Sequence, residues 1–468
     1  LNKQINPLAN FFIGFMKVIA DLHIHSKYSR ATSTQLTPAN LAKYARIKGL
    51  NLLGTGDFTY PAYLEELKLE MTEDGTGILK DREGFGFILS GEVSSIYSQG
   101  GKVRRVHNII LAKSFEVAEQ INEALTRRKV NLNSDGRPIC GIPCPELVEL
   151  ILGVDREAEV IPAHAWTPWF SVFGSESGFD SIRDCYKDQA RNIHALETGL
   201  SSDPAMNWRL SSLDRFSLVS NSDSHSFWPW RIGREANVFE LKDLTYGDLL
   251  SAIREKDPKR FLYTIEVDPS YGKYHFDGHR ACSVSLSPDE ARKLGNWCPV
   301  CKRQLTIGVL HRVEELADRP EGYVPKGAIP FKSLIPLTEI ISAQMGIDQL
   351  YSKKIWAVYN QLIKAFGSEF TVLLDAELAE LKKALPAEHR LAEAIVNVRQ
   401  GKVEIRPGYD GVYGYPVFKG ASLEKLEKKA SKSADSEKKA RPRGRLKSKR
   451  SDSPTSEIPS GQKSLTQF

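Results

Sequence analysis

The chain has 468 residues, 41% hydrophobic and 26% charged, with 64 Lys and Arg against 58 Asp and Glu. That composition excludes a collagenous or wholly disordered polymer, and the length allows about two to four domains. No apolar run reaches the roughly 18–20 residues of a membrane span, so no membrane partner is expected.

The positive balance is local. Twelve Lys and Arg face four Asp and Glu between Gly420 and Arg450, which leaves the rest of the chain nearly neutral. Leu8–Ala20 is apolar, yet it lacks the basic flank and small-residue cleavage site of a signal peptide. Residues 1–15 read as an extension, Met16 as a start, and the protein as cytoplasmic and nucleoid-associated.

From Met16 to about residue 265, short β-rich runs alternate with helical stretches. Val18–Ile24 reads as the first strand. Thr37–Lys48 follows as a helix, with Thr37 as N-cap, Pro38 at the first helical position and Gly49 just past the end. Strands are expected at Leu50–Thr55, Phe87–Ser90, Val106–Leu111, Val160–Ala163, Ile193–Glu197 and Phe216–Ser220. Such alternation predicts a parallel sheet or barrel whose functional side chains stand at C-terminal strand ends. A compact Cys/His segment then runs from Tyr271 to about Leu310. Apolar positions three and four apart predict helices over Leu337–Met345, Lys353–Ala365 and Ala376–Leu385. Ile405–Tyr415 is a turn-rich aromatic loop, and Ala421–Ser460 lacks hydrophobic periodicity and reads as disordered.

Metal-ligating side chains end the inferred strands. His23 and His25 in DLHIHS are two apart, so on a strand both imidazoles face one side. Asp57 ends LLGTGDF, Glu92 ends FILSGE, His107 lies in RVHNII and His164 closes VIPAH; Asp223 and His225 in SNSDSH repeat the spacing of two. Together they could bind two or three divalent cations in one mouth. The imidazoles suit Zn²⁺ better than Mg²⁺, with Mg²⁺ or Mn²⁺ as alternatives. Glu197 either orients a ligating His or is simply a charged strand end.

A second cluster is His279 and Cys282 followed, fifteen residues on, by Cys298 and Cys301. This paired spacing predicts one structural zinc, with His275 as a rival for His279. Cys140, Cys144 and Cys185 read as packing residues. Trp166, Trp169, Phe170, Phe173 and Phe179 crowd the loop after His164, either as a pocket that stacks an extruded base or as a packed lid. The loop around Tyr409 either approaches a nucleic-acid backbone or connects two elements.

DLHIHS, the Asp57 segment, Glu92, His107, His164 and SDSH resemble the motifs of the polymerase and histidinol phosphatase (PHP) superfamily. That resemblance implies an α/β fold with a PHP-type distorted (β/α)7 barrel over 16–268; the Cys/His spacing, helical periodicity and basic composition add a zinc-binding module over 269–325, a helical domain over 326–419 and a disordered basic tail over 420–468. HSKYSRATS, GTGDFTYP, ALETGLSSDPAMNWRLS and GREANVF, with the Cys/His segment, resemble the archaeal endonuclease Q family more closely. The implied activity is metal-dependent hydrolysis of the phosphodiester 5′ of deaminated bases (uracil, hypoxanthine, xanthine) and abasic sites in DNA. The rivals are a small-molecule phosphomonoesterase and an inactive, clamp-tethered binding module.

Carried over from the family, one metal would be held by His23, His25, Glu92 and Asp223, and a second by Glu92, His107 and His164. A third would need Asp57, His225 and an acidic or His residue where Arg30 stands. A guanidinium repels cations, so Arg30 either contacts the scissile phosphate or is a surface residue. Asp223, Glu92 and Arg30 are the implied catalytic residues. The final Gln462, Leu465 and Phe468 resemble a peptide that binds a sliding clamp (PCNA).

Overall fold

The computed structural model describes residues 14–418. The expectations for the N-terminal extension before residue 14, the basic tail and Gln462, Leu465 and Phe468 lie outside the described residues.

Met16–Asp21 forms the first strand, and its last four residues are buried because it runs through the middle of a ten-stranded sheet. On one side it pairs in parallel with Leu52–Gly54, which pairs in parallel with Gly86–Gln99. On the other it pairs antiparallel with Ala236–Leu241, followed by Phe261–Glu266 and Phe331–Ser333. A separate parallel pair, Ala195–Glu197 and Ser217–Val219, lies outside this sheet.

The sheet is therefore mixed, not parallel as the β–α alternation suggested. The departure has a local cause. Gly86–Gln99 and Lys102–Ala112 form one long antiparallel hairpin, closed by Gly100 and Gly101 in left-handed backbone. The strand expected to stop at Ser90 continues for nine more residues, so Glu92 lies inside it. His107 likewise stands within its strand. The first strand, by contrast, ends at Asp21, and His23 and His25 follow it.

Pro38–Lys48 is a helix with the expected ends: Thr37 caps it by accepting from Asn40 N, and Gly49 closes it at φ +98°. Its last residue, Lys48, is buried, and its Nζ donates to Glu369 Oε1 and the Pro229 carbonyl, both at 2.8 Å. Glu369 also accepts from Leu337 N and Tyr359 Oη, so both oxygens of this buried carboxylate are hydrogen-bonded. Through it the C-terminal helices Leu337–Met345 and Lys353–Phe366 are clasped to the sheet domain. Beside the clasp Trp228 stacks on Trp230 at 5.0 Å, and Trp356 tilts against both at 5.7 and 6.2 Å. A further helix, His389–Arg399, completes this unit. No helix among the described residues is long and apolar enough to cross a membrane.

Candidate metal centre

Beyond Asp21 the chain stays extended, so His23 and His25 project to one side with ring centroids 5.4 Å apart. Each ring is held by its Nδ1. His23 Nδ1 lies 3.0 and 3.1 Å from the two oxygens of Glu197, and His25 Nδ1 lies 3.0 Å from Asp57 Oδ1. A carboxylate facing Nδ1 keeps the proton there and turns the Nε2 lone pair outward. Both Nε2 atoms face Glu92 Oε2 and Asp223 Oδ1, at 3.7 and 3.8 Å for His23 and 3.3 and 3.0 Å for His25. His23 Nε2 is buried without a hydrogen-bond partner. Four donors at these separations, one of them orphaned, fit a shared cation, since ligands about 2.1 Å from a tetrahedral ion lie about 3.4 Å apart.

Glu92 also faces a second group. Its Oε1 is 2.7 Å from His107 Nδ1 and 3.2 Å from His164 Nε2, and these two nitrogens are 3.3 Å from each other. The two oxygens of one fully buried carboxylate thus serve two clusters of donors, the geometry of a bridging ligand. Burial would raise the Glu92 carboxyl, but His107 and Arg137 outweigh it and hold it well below its usual range. Burial lowers His107 to about 4 against the pull of Glu92.

Three of these positions carry unusual backbone. Asp57, His164 and Asp223 adopt φ of +47°, +29° and +46°, a region that non-glycine residues avoid. Each lies two to four residues beyond the end of a strand, in the loop that leaves it.

Other expected site residues are placed differently. Asp57 joins neither donor cluster. Its Oδ2 accepts from Ser26 N, Ser26 Oγ and Ser29 Oγ at 2.7–2.8 Å, and its Oδ1 faces His25 Nδ1, so it holds the plane of that ring. Gly136 lies so close to Asp57 that a Cβ there would overlap its carboxylate. The His225 ring lies tilted against His25, centroids 4.4 Å apart, and donates from Nδ1 to the Asp223 carbonyl at 3.0 Å, beside the clusters rather than in them. Arg30 points outward, its side chain 74% exposed and paired with Asp135 at 3.0 Å. The arginine inside the mouth is Arg137, whose Nη1 is 3.0 Å from Glu92 Oε2. Nothing in its SDGRP context marks it in the sequence.

The aromatic loop splits. Trp166 is buried, stacked on Phe173 at 4.6 Å, with Nε1 donating to Asn207, so it is core and not a stacking surface. Trp169 and Phe170 are half-buried; Phe170 lies 4.8 Å from His107. Tyr409 covers Gly278 of the Cys/His segment, where a Cβ would collide with its ring.

In that segment the strands Asp277–His279 and Val284–Leu286 pair, and His279, Cys282, Cys298 and Cys301 converge with all ligand atoms within 4.8 Å. His275 is not among them; its ring is buried against Phe276. Desolvation pushes the Cys298 thiol up, yet the amides of Cys301 and Val300 aimed at its sulfur bring it down to about 6. A thiolate at neutral pH among three further donors is the chemistry of a closed zinc site.

Two donor clusters that share one buried glutamate, set on a mixed α/β sheet, make a candidate divalent-metal centre of a hydrolase. The chain belongs to the endonuclease Q family. The lesion-specific endonuclease PfuEndoQ of Pyrococcus furiosus superposes with a TM-score of 0.77 at 33% identity, over 88% of this chain and 99% of its own. An endonuclease Q in complex with a 27-mer duplex substrate carrying an abasic lesion at the active site gives 0.77 at 34% identity, over 88% and 98%. Residues 336–402 match the family described as the MJ0043 C-terminal domain. The uncharacterized protein MJ0043 of Methanocaldococcus jannaschii is 36% identical over 267 residues, 56% of this chain and 32% of that protein. The match thus spans about a third of the length of this curated relative.

Proposed function

We propose that this chain is a metal-dependent DNA endonuclease that hydrolyses the phosphodiester 5′ of deaminated bases (uracil, hypoxanthine, xanthine) and of abasic sites. The observation that carries the reading is Glu92, fully buried, with one oxygen toward His23 and His25 and the other toward His107 and His164. The solved endonuclease Q with an abasic duplex supports DNA as the substrate.

His23, His25, Glu92 and Asp223 would hold one divalent ion and Glu92, His107 and His164 a second, with Zn²⁺ favoured by the imidazoles over Mg²⁺ or Mn²⁺. Two such ions supply an activated water and neutralise charge on the phosphate. The rest falls to the protein. Glu197 and Asp57 fix the tautomers and planes of His23 and His25. Arg137, with a guanidinium fork matched to phosphate oxygens, takes the contact first expected of Arg30. Trp169 and Phe170 offer ring faces at the mouth to an unstacked base. His279, Cys282, Cys298 and Cys301 would hold a structural zinc. The mixed sheet together with the Ala195–Glu197 and Ser217–Val219 pair is read as the distorted barrel, with 269–325, 326–419 and 420–468 as the appended zinc module, helical domain and tail.

The test is cleavage of duplexes carrying one dU, one dI or one abasic site, beside a plain duplex and a phosphomonoester. Nicking only at the modified positions is expected; phosphate release from the monoester, or binding without turnover, would overturn the reading. Asp223→Ala should abolish the nick while leaving the fold intact. Deleting Gln462–Phe468 should spare basal cleavage and remove stimulation by the clamp.

A further inference from the structure

The long hairpin extends outward from the metal groups, and its pairing fixes what it carries. Ser94 pairs with His107, Ile96 with Arg105 and Ser98 with Val103. Side chains alternate along a strand, so His107, Arg105 and Val103 share the face that looks into the mouth. At about 3.4 Å per residue, Arg105 stands about 7 Å beyond His107.

The two adjacent arginines have opposite fates. Arg104, on the other face, donates to the carbonyls of Gln99 and Gly178 and lies 4.2 Å over the Phe179 ring. It is committed to holding the aromatic loop. Arg105 has no carboxylate and no side-chain hydrogen bond among the described residues; its guanidinium lies 5.9 Å from the Phe170 ring. That ring is the one that packs on His107, and the Phe170 carbonyl accepts from His107 N at 3.1 Å. Two other arginines near the mouth are paired, Arg137 with Glu92 and Arg30 with Asp135, and Arg234 donates to the Ser222 carbonyl. Arg105 is thus a half-buried, oriented and unpaired cation on the strand face of a proposed metal ligand.

We propose that Arg105 binds a DNA phosphate flanking the scissile one, so that the hairpin face holds the substrate strand in register with the metal groups. Successive nucleotides rise about 3.4 Å along a strand, which puts a contact about 7 Å away one or two phosphates out. Planar guanidinium geometry suits a phosphate, and the Phe170 face keeps the fork directed. This inference rests on the proposed DNA substrate.

Full-length Arg105→Ala and Arg105→Lys, each combined with Asp223→Asn to arrest cleavage, are titrated with a labelled duplex containing one abasic site across a salt series, beside Asp223→Asn alone. Arg105→Ala should weaken binding about tenfold at 0.1 M salt and reduce the slope of log K against log salt by about 0.9, the release of one phosphate contact. Arg105→Lys should restore the slope. A merely structural role would leave the slope unchanged, and that result overturns the inference whatever happens to affinity. If the unmodified chain binds the duplex but never nicks it, the endonuclease reading fails while the slope comparison still decides Arg105. If the duplex does not bind, both fall.

Discussion

Glu197 and His23 are joined at both carboxylate oxygens, 3.0 and 3.1 Å from Nδ1, and that carboxylate also accepts from His164 N at 2.7 Å and Asn221 Nδ2 at 2.9 Å. One buried side chain therefore orients a residue from each donor cluster without belonging to either. Glu197→Gln keeps the shape but replaces one acceptor with an amide donor facing the His23 ring or the His164 amide. Metal affinity should fall 10- to 100-fold, the usual cost of losing such a partner. Equilibrium dialysis with metal analysis checks it; unchanged affinity would show that the partner is dispensable.

Gly136→Ala tests how tightly Asp57 is seated. The added methyl would overlap Asp57 Oδ2 and Ser29 Oγ, both committed to orienting His25. Cleavage should drop at least tenfold, since positioning tolerances in such sites are a fraction of an ångström. Tm should fall as well, because Gly136, Asp57 and Ser29 are all buried; kinetics on the folded protein, beside a melting curve, separate the two effects.

The Cys/His segment buries only Val284, Ala291, Cys298 and Leu305 in a cluster of its own. So small a core does not hold a module without a staple. A chelator, or Cys298→Ser, should release one tightly held zinc and expose residues 277–305 to limited proteolysis, while the sheet domain stays resistant. Protection that survives complete zinc removal would contradict this.

Glu266 is buried and accepts from Thr264, Ser220 and Thr198 hydroxyls at 2.5–3.1 Å, and burial raises its carboxyl from 4.5 to about 8. The folded state then binds a proton that the unfolded state has already released above pH 4.5. Stability from this group is full below 4.5 and is lost as the pH climbs to about 8. Glu266→Gln cannot titrate, so its Tm should exceed that of the unmodified protein by a few degrees at pH 8, with the gap closing toward pH 5. Thermal melts across that range are the measurement.

How much of this was legible follows from the range over which each signal acts. The Pro38–Lys48 helix is written in adjacent residues, as are the His23–His25 and Asp223–His225 spacings. The donor clusters could be anticipated because strand ends of such folds share one face. Arg137 could not, since it reaches Glu92 from a loop with no periodicity of its own. The hold of Ser26 and Ser29 on Asp57 was not legible because these hydroxyls become its neighbours only when the loop folds back. Trp166 and Phe170 are four residues apart and look alike in sequence; only the turn of the loop sends one inward and leaves the other at the mouth. The hairpin was missed for a different reason: Gly100–Gly101 is a turn signal that the alternating β–α pattern concealed.

The left-handed backbone at Asp57, His164 and Asp223 sets durability against turnover at the same three codons. Glycine would relax each turn by about 1 kcal/mol or more, while deleting a group the chemistry needs. Laboratory evolution toward heat tolerance with no catalytic screen would be drawn to glycine at His164 and Asp223, whereas at Asp57 the bonds to Ser26, Ser29 and His25 outweigh the strain and keep the aspartate.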